Sequence, residues 1–218
     1  MLTLIATPIG RTDEITLRSI ELFENADVVI CESTKETSKL LKKLEIKAKK
    51  YEVLSEHTTT DEVNLLVEMC KTQNVVLVSD CGTPSFCDPG FQVVALCRKQ
   101  NISVQSSLGA SSLMGLLSLS SERIQQFFFR GFIPAENVAR EKEWQVLKKT
   151  KEPLILMDTP YRLRKMLDEC CLHLGDRKML LALNMSQETE VILEGSPESV
   201  RKQLTLEKAE FMILVYGK

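Results

Sequence analysis

Short β-rich apolar runs alternate with helical patterns through the first half of the chain. Residues 2–6 read as a strand, a TPIGRTD loop follows, and a helix is predicted over 14–25, with Ile15, Leu17, Ile20, Leu22 and Phe23 roughly on one face. A second strand spans 27–31. Ser33 with Glu36, and Thr59 with Glu62, have the spacing of a helix N-terminal capping box, so helices are predicted from Thr34 and up to Gln73. A strand over 51–54 lies between them. The continuous run VVLVS at 75–79 predicts a strand buried on both faces of a parallel sheet. The turn-rich DCGTPSFCDPG follows it, and Asp88–Pro89 reads as N-cap and first residue of the next helix. Residues 102–105 give a further strand and 108–112 a loop into another helix. Strand–loop–helix repeated in this way implies βαβ crossovers and a mostly parallel sheet.

After Ser118 the texture changes. SLSSERIQQ is polar, strands are predicted at 127–132, 154–158, 178–184 and 211–216, and helices at 136–149, after Thr159–Pro160 and after Ser196–Pro197. The reading is α/β with two domains, 1–115 carrying a mostly parallel sheet and 116–218 a mixed one.

Composition narrows the class. The 218 residues are 44% hydrophobic and 27% charged, which excludes wholesale disorder. No apolar run approaches the roughly 18 residues that span a bilayer, and MLTLIATPIGRTDE has no basic leader, so no membrane attachment is expected. Seven cysteines form no CxxC pair and have no histidine at ligand spacing; they read as reduced thiols of a cytoplasmic protein with no metal site. A net charge of −2 excludes a globally basic nucleic-acid clamp but not a local basic face.

Chemistry is concentrated in loops. Only nine glycines occur, and Gly10, Gly82, Gly90 and Gly109 all follow strands of the first domain, where open α/β sheets bind ligands. Any one such loop could be a plain turn; the set points to a small-molecule site. GxxxxGK[ST] and GxGxxG are both absent, which disfavours a P-loop or a Rossmann dinucleotide site. Of the two histidines, His173 reads as a helix cap or packing residue, and His57 lies in the polar loop LSEHTTTDE, either a substrate edge or a solvated loop.

TPIGRTDEITLRSIE, CESTKETSKLL, VSDCGTPSFCDPG and LGASS occur in this order and resemble the tetrapyrrole methylase superfamily. The nearest branch is the bacterial methyltransferases of a cytidine ribose 2′-hydroxyl in 16S rRNA, which read TPIGNLxDIT, AEDTR, SDAGTPxxxDPG and PGPSA. RGFIP, PYRL and AEFMILV extend the resemblance along nearly the whole chain. It implies two α/β domains enclosing S-adenosyl-L-methionine in a cleft, usually in a homodimer. Carried over by position, Pro8 lies beside the cofactor; Asp80, Gly82, Thr83 and Pro84 cradle its methionine part; Gly109, Ser111 and Ser112 are further contacts. Met157, Leu183, Asn184 and Met185 would meet the adenosine, although both methionines also fit ordinary core filling.

The departures fall on substrate-facing positions. Acid-acid-Thr-Arg becomes Glu32-Ser33-Thr34-Lys35, PGPSA becomes LGASS, FYES-PHR becomes LMDTPYR, and AREL-TK becomes ALNMSQ. Transfer to a hydroxyl benefits from a base; Glu32 and Glu56 are the candidate catalytic residues, with Asp80 a third carboxylate that the cofactor could occupy. For contact with rRNA or the small ribosomal subunit, the lysine run 35–50 stands out, with Lys35, Lys39, Lys42 and Lys43 as candidate phosphate contacts. A second basic group gathers Arg140, Lys142, Lys148, Lys149 and Lys151, followed by Arg162, Arg164 and Lys165. Three readings stay open: an RNA ribose methyltransferase, a methyltransferase acting on a tetrapyrrole or other small molecule, and a cofactor-binding module without catalysis.

Overall fold

The computed structural model describes every residue except Ala48. The chain divides into two compact units, Met1–Ser111 and Ser112–Lys218. The division falls just before the helix Ser112–Ser118, so that helix belongs wholly to the second unit.

In the first unit, strands β1 (Leu2–Ile5), β2 (Val28–Cys31), β3 (Lys50–Val53), β4 (Val75–Leu77) and β5 (Val104–Ser107) form one parallel sheet in the order β3-β2-β4-β1-β5. Helices α1 (Leu17–Glu24), α2 (Thr34–Lys43), α3 (Thr60–Thr72) and α4 (Gly90–Lys99) supply the crossovers. Alternate strand residues divide between two cores. Leu2, Val28, Ile30, Val75 and Leu77 pack with Val63 and Val67 of α3 and with Val93 of α4. Ile5, Val29, Cys31 and Val76 pack with Phe23 of α1 and Leu41 of α2. A sheet covered on both faces explains why β2 and β4 are apolar at every position instead of alternating.

The caps show where local sequence decides. Thr59 and Glu62 make the full reciprocal capping box; Ser33 accepts the Glu36 amide. Two helix starts differ from expectation. Residues 12–14 form a separate 3₁₀ turn, and α1 begins only after Thr16, whose hydroxyl accepts the Ser19 amide. At α4 the N-cap is Pro89, while Asp88 Oδ1 accepts both the Ser85 amide (2.7 Å) and the Gly90 amide (3.0 Å) and so latches the preceding loop.

In the second unit, β6 (Phe128–Phe132), β7 (Leu154–Met157), β8 (Met179–Leu183), β9 (Val191–Gly195) and β10 (Phe211–Val215) form a mixed sheet, β6-β7-β10-β8-β9. Only β6–β7 is parallel. Helix α5 (Ser112–Ser118) packs Leu116 on one face, against Ile155, Leu180 and Leu214. On the other face α6 (Asn137–Leu147), α7 (Leu163–Leu174) and α8 (Pro197–Gln203) bury Trp144, Leu167 and Val200 against Leu154, Leu181 and Ile213. Strand β9 went unpredicted because its residues are mostly exposed or half-buried and interrupted by Glu194. His173 is indeed a packing residue, buried and stacked on Trp144 at 5.2 Å between ring centroids.

Candidate functional site

The carboxyl ends of β1, β2, β4 and β5 are tied together through the loop that follows β4. Thr7 and Gly82 exchange backbone hydrogen bonds, each 2.9 Å, and the Thr7 hydroxyl donates to the Ser79 carbonyl at 3.2 Å. The Ser33 amide, just past β2, donates to Asp80 Oδ1 at 3.1 Å. The Thr83 hydroxyl donates to the Ala110 carbonyl, past β5, at 3.0 Å. Four loops separate in sequence thus form one rim at the edge where open α/β sheets bind ligands.

Two glycines shape this arrangement. Gly82 has φ +79°, a conformation that strains L side chains. A Cβ on Gly109 would sit 3.0 Å from the Ala6 Cβ and 3.3 Å from its carbonyl oxygen, so a side chain there would have to push the LGASS loop away from Ala6 by a few tenths of an ångström. Within the 80–84 loop the Gly82 N–H is not free for a ligand, being given to the Thr7 carbonyl. The Thr83 and Gly109 amides donate to no protein group among the described residues, and both residues are exposed. Pro84 is buried and Pro8 half-buried. Open amides and carboxylates together suit an amino-acid moiety, whose carboxylate needs donors and whose ammonium needs an anion.

Glu32 stands at the carboxyl end of β2. Partial burial of its carboxyl, and then the negative charges of Asp88, Asp80 and Glu56, raise its pKa above the ordinary glutamate value. Four carboxylates from three loops therefore share one field, and Glu56 reaches Glu32 through charge. His57 instead borders a shallow groove of about 510 Å³ with Tyr51, Ser55 and Leu65.

Lys35, Lys39, Lys42 and Lys43 form an exposed stripe on α2, opposite the buried Thr37 and Leu41. Only Lys39 has a carboxylate partner, Glu36 at 3.6 Å, among the described residues. Two further lysines of the run are engaged elsewhere: Lys49 Nζ donates to the Glu24 carbonyl at 2.6 Å and Lys50 pairs with Glu52 at 2.9 Å.

In the second unit, Met157 at the end of β7 and Met185 both lie half-buried against the core under α5. The Met185 methyl occupies the space a Cβ on Gly115 would need, at 2.6 Å. Leu183 departs from the expected apolar packing on a ligand beside these methionines, because its side chain is buried in the opposite core. Asn184, at φ +47°, fastens β8 to the start of β10, its Oδ1 accepting the Glu210 amide at 3.0 Å. Ser111 closes the first unit and Ser112 opens α5.

The sequence reading missed one constellation and misassigned a member of it. Arg140, grouped above with solvent-facing basic residues, is 2% exposed. Its Nη1 donates to Asp158 Oδ2 at 2.9 Å and its Nη2 to Glu169 Oε2 at 2.6 Å. Asp158 Oδ1 accepts from the Thr159 amide at 2.8 Å and from Arg162 at 3.2 Å. Spacing carries no signal for partners 18 and 29 residues away. Among the described residues no group of three or more His, Cys, Asp or Glu side chains could hold a metal ion, and no helix is long and apolar enough to cross a membrane.

Comparison with known proteins agrees with the sequence motifs. Residues 1–200 match the family described as Tetrapyrrole (Corrin/Porphyrin) Methylases. The chain is 32% identical over 219 residues to the ribosomal RNA small subunit methyltransferase I of Halalkalibacterium halodurans, covering 99% of this chain and 75% of that protein. It is likewise 32% identical to the protein of that name from Synechocystis sp., covering 100% and 79%. Among solved structures it is similar to diphthine synthase (TM-score 0.73, 14% identity, 99% of this chain and 89% of that one). It also resembles a uroporphyrin-III C-methyltransferase from Thermus thermophilus complexed with S-adenosyl homocysteine (TM-score 0.63, 16% identity, 98% and 96%). By its motifs, its two sheets and its match over most of its length, the chain belongs to the tetrapyrrole methylase family.

Proposed function

We propose that this protein is an S-adenosylmethionine-dependent methyltransferase acting on a ribose 2′-hydroxyl of small-subunit ribosomal RNA, in the cytoplasm and as a homodimer. The observation that carries the reading is the rim of four tied loops, with a tight backbone approach at Gly109, in a chain whose curated relatives are named for small-subunit rRNA methylation.

When bound, S-adenosylmethionine supplies a methyl group made electrophilic by its sulfonium. Asp80, Thr83, Pro84, Gly109 and Ser111, with Pro8 and Gly82 shaping the rim, are the residues of the first unit proposed to hold it. Ser112, Met157, Leu183, Asn184 and Met185 are proposed as its contacts from the second unit by the resemblance, Leu183 through its backbone alone. Orienting a weak nucleophile supplies much of the acceleration such a reaction needs. Glu32, with its pKa raised by burial and by neighbouring carboxylates, is suited to take the hydroxyl proton, because a base is most effective when its pKa approaches the working pH. Glu56, which adds a little to that shift, is the alternative base. The α2 lysines provide positive charge for phosphates.

The test is incubation of the purified chain with small subunits, naked 16S rRNA or a tetrapyrrole, followed by nucleoside mass spectrometry. A 2′-O-methylated nucleoside that depends on the chain and on the cofactor supports the reading. Transfer to the tetrapyrrole alone, or cofactor binding without transfer to any acceptor, overturns it. Sedimentation of the free chain tests the dimer.

A further inference from the structure

We propose that Tyr161 and Lys208 form a stacking platform for an unpaired base of the RNA substrate; this rests on the ribosomal-RNA reading above and adds to it a site of contact. Tyr161 lies in the 3₁₀ turn Pro160–Arg162 that leaves β7, and 79% of it is exposed. Lys208 Nζ sits 4.0 Å from the centre of its ring. With the ammonium on one face and so much of the residue in water, the opposite face is open.

The ammonium also reaches the Tyr161 hydroxyl, whose pKa it lowers, but it has no acidic partner among the described residues. The adjacent Glu207 is taken by Arg164 at 2.6 Å, and no carboxylate pairs with Lys208 among the described residues. An open aromatic face beside an unpaired cation is the minimal equipment for single-stranded nucleic acid: the ring stacks a base of any identity, and the ammonium meets the adjoining phosphate.

The turn beneath is held in a way that an idle surface loop does not need. Asp158, 3% exposed, binds the Thr159 amide, Arg162 and the buried Arg140, and Arg140 is held in turn by Glu169. Removing such charges from water is costly. What they secure is the course of residues 158–162, so the ring is presented on a fixed backbone and little freedom is lost when a base lands on it. An apolar protein partner would have to desolvate the ammonium beside a single ring, whereas an RNA strand brings the phosphate that the ammonium can pair with.

The experiment measures binding of a fluorescein-labelled unstructured RNA by anisotropy, and methyl transfer to 16S rRNA, for the parent protein, Tyr161→Ala, Tyr161→Trp and Lys208→Ala. Tyr161→Ala should weaken RNA binding roughly tenfold and raise KM for RNA, with kcat and cofactor affinity unchanged. Tyr161→Trp should retain affinity and show indole quenching on binding RNA. Lys208→Ala should lower the log–log salt slope by about 0.7, as for one lost single-strand phosphate contact. If Tyr161→Ala binds and turns over RNA like a parent that methylates it, the platform is wrong and the functional reading stands. A parent that neither binds nor methylates RNA overturns both. A Tyr161 effect seen with intact subunits but not with naked RNA would assign the surface to a ribosomal protein and overturn the platform.

Discussion

The two units place their charged groups in opposite ways. In the first, Glu32, Asp80 and Glu56 are exposed at strand ends, with Glu32 and Asp80 on loops joined by the Ser33–Asp80 hydrogen bond. In the second, Arg140 and Asp158 are sunk to 2% and 3% exposure, and Arg177, 4% exposed, gives its guanidinium to the carbonyls of Thr150, Glu152 and Tyr216. The first unit keeps charge where a ligand can meet it, and the second uses charge to hold chain segments in place. Substitution of the rim carboxylates in the first unit should therefore alter activity, and substitution of the buried charges in the second should alter stability.

The largest effect is expected at Arg140. Arg140→Ala leaves the buried Asp158 Oδ2 unpaired, with Arg162 and the Thr159 amide meeting only Oδ1, and should cost about 3–5 kcal/mol, read as a lower denaturant midpoint. Arg140→Lys should recover little of it, because a single ammonium cannot span Asp158, Glu169 and the Pro134 carbonyl together. An unchanged midpoint would erase the contrast between the units.

Glu32→Gln tests the other side. If Glu32 is the base, kcat should fall about 100-fold or more with cofactor affinity retained, and the parent's kcat should rise with pH through a value above the ordinary glutamate pKa. The stability effect has the opposite sign. A glutamate whose pKa is raised on folding binds its proton more tightly in the native state, so its ionised form destabilises the fold as pH rises. Glu32→Gln should thus be slower and slightly more stable at neutral pH, a pairing that a mere brace would not give.

Gly82→Val comes next. Strain at φ +79° costs about 1–3 kcal/mol and should be felt mainly as lost cofactor binding by calorimetry; normal binding would mean the loop has been misread. Neutralising Lys39, Lys42 and Lys43 should flatten the salt dependence of RNA binding by about 0.7–0.9 log–log units per lost contact and leave stability untouched.

A smaller effect separates the units by acid. Hydrogen bonds from Ser121 and Tyr216, with help from Lys178, hold Glu194 down to about 2. A depressed carboxylate stabilises the fold above its unfolded pKa and loses that contribution as pH falls through the folded one. Urea midpoints of the parent should therefore fall more steeply than those of Glu194→Gln between about pH 4.5 and 2.

Much of this was legible in the sequence where cause and effect are close together. The Thr59–Glu62 box, the apolar VVLVS run and the Gly-bearing loops each act within a few residues, and they placed the first sheet and its site edge. What was not legible depends on distance in the chain. Nothing local marks Arg140 as buried, since its neighbours Glu141 and Lys142 are exposed; only Asp158 and Glu169 make its burial tolerable. The loss of Gly82 as an amide donor is likewise set by Thr7, 75 positions earlier. The Glu32 environment belongs to the same class, because Asp80 and Asp88 come from another loop.

The strand order of the second sheet has a consequence for synthesis. β10 is central and last in sequence, lying between β7 and β8. As the chain emerges, β6 can pair with β7 and β8 with β9, but the two halves share no strand contact until Phe211–Val215 inserts between them. The first sheet is complete in sequence by Ser107. Vectorial folding should leave a finished amino-terminal unit and two open two-stranded halves, the parallel β6–β7 pair and the antiparallel β8–β9 pair, with unpaired inner edges, the stage at which a nascent chain is most prone to aggregate and most in need of a chaperone.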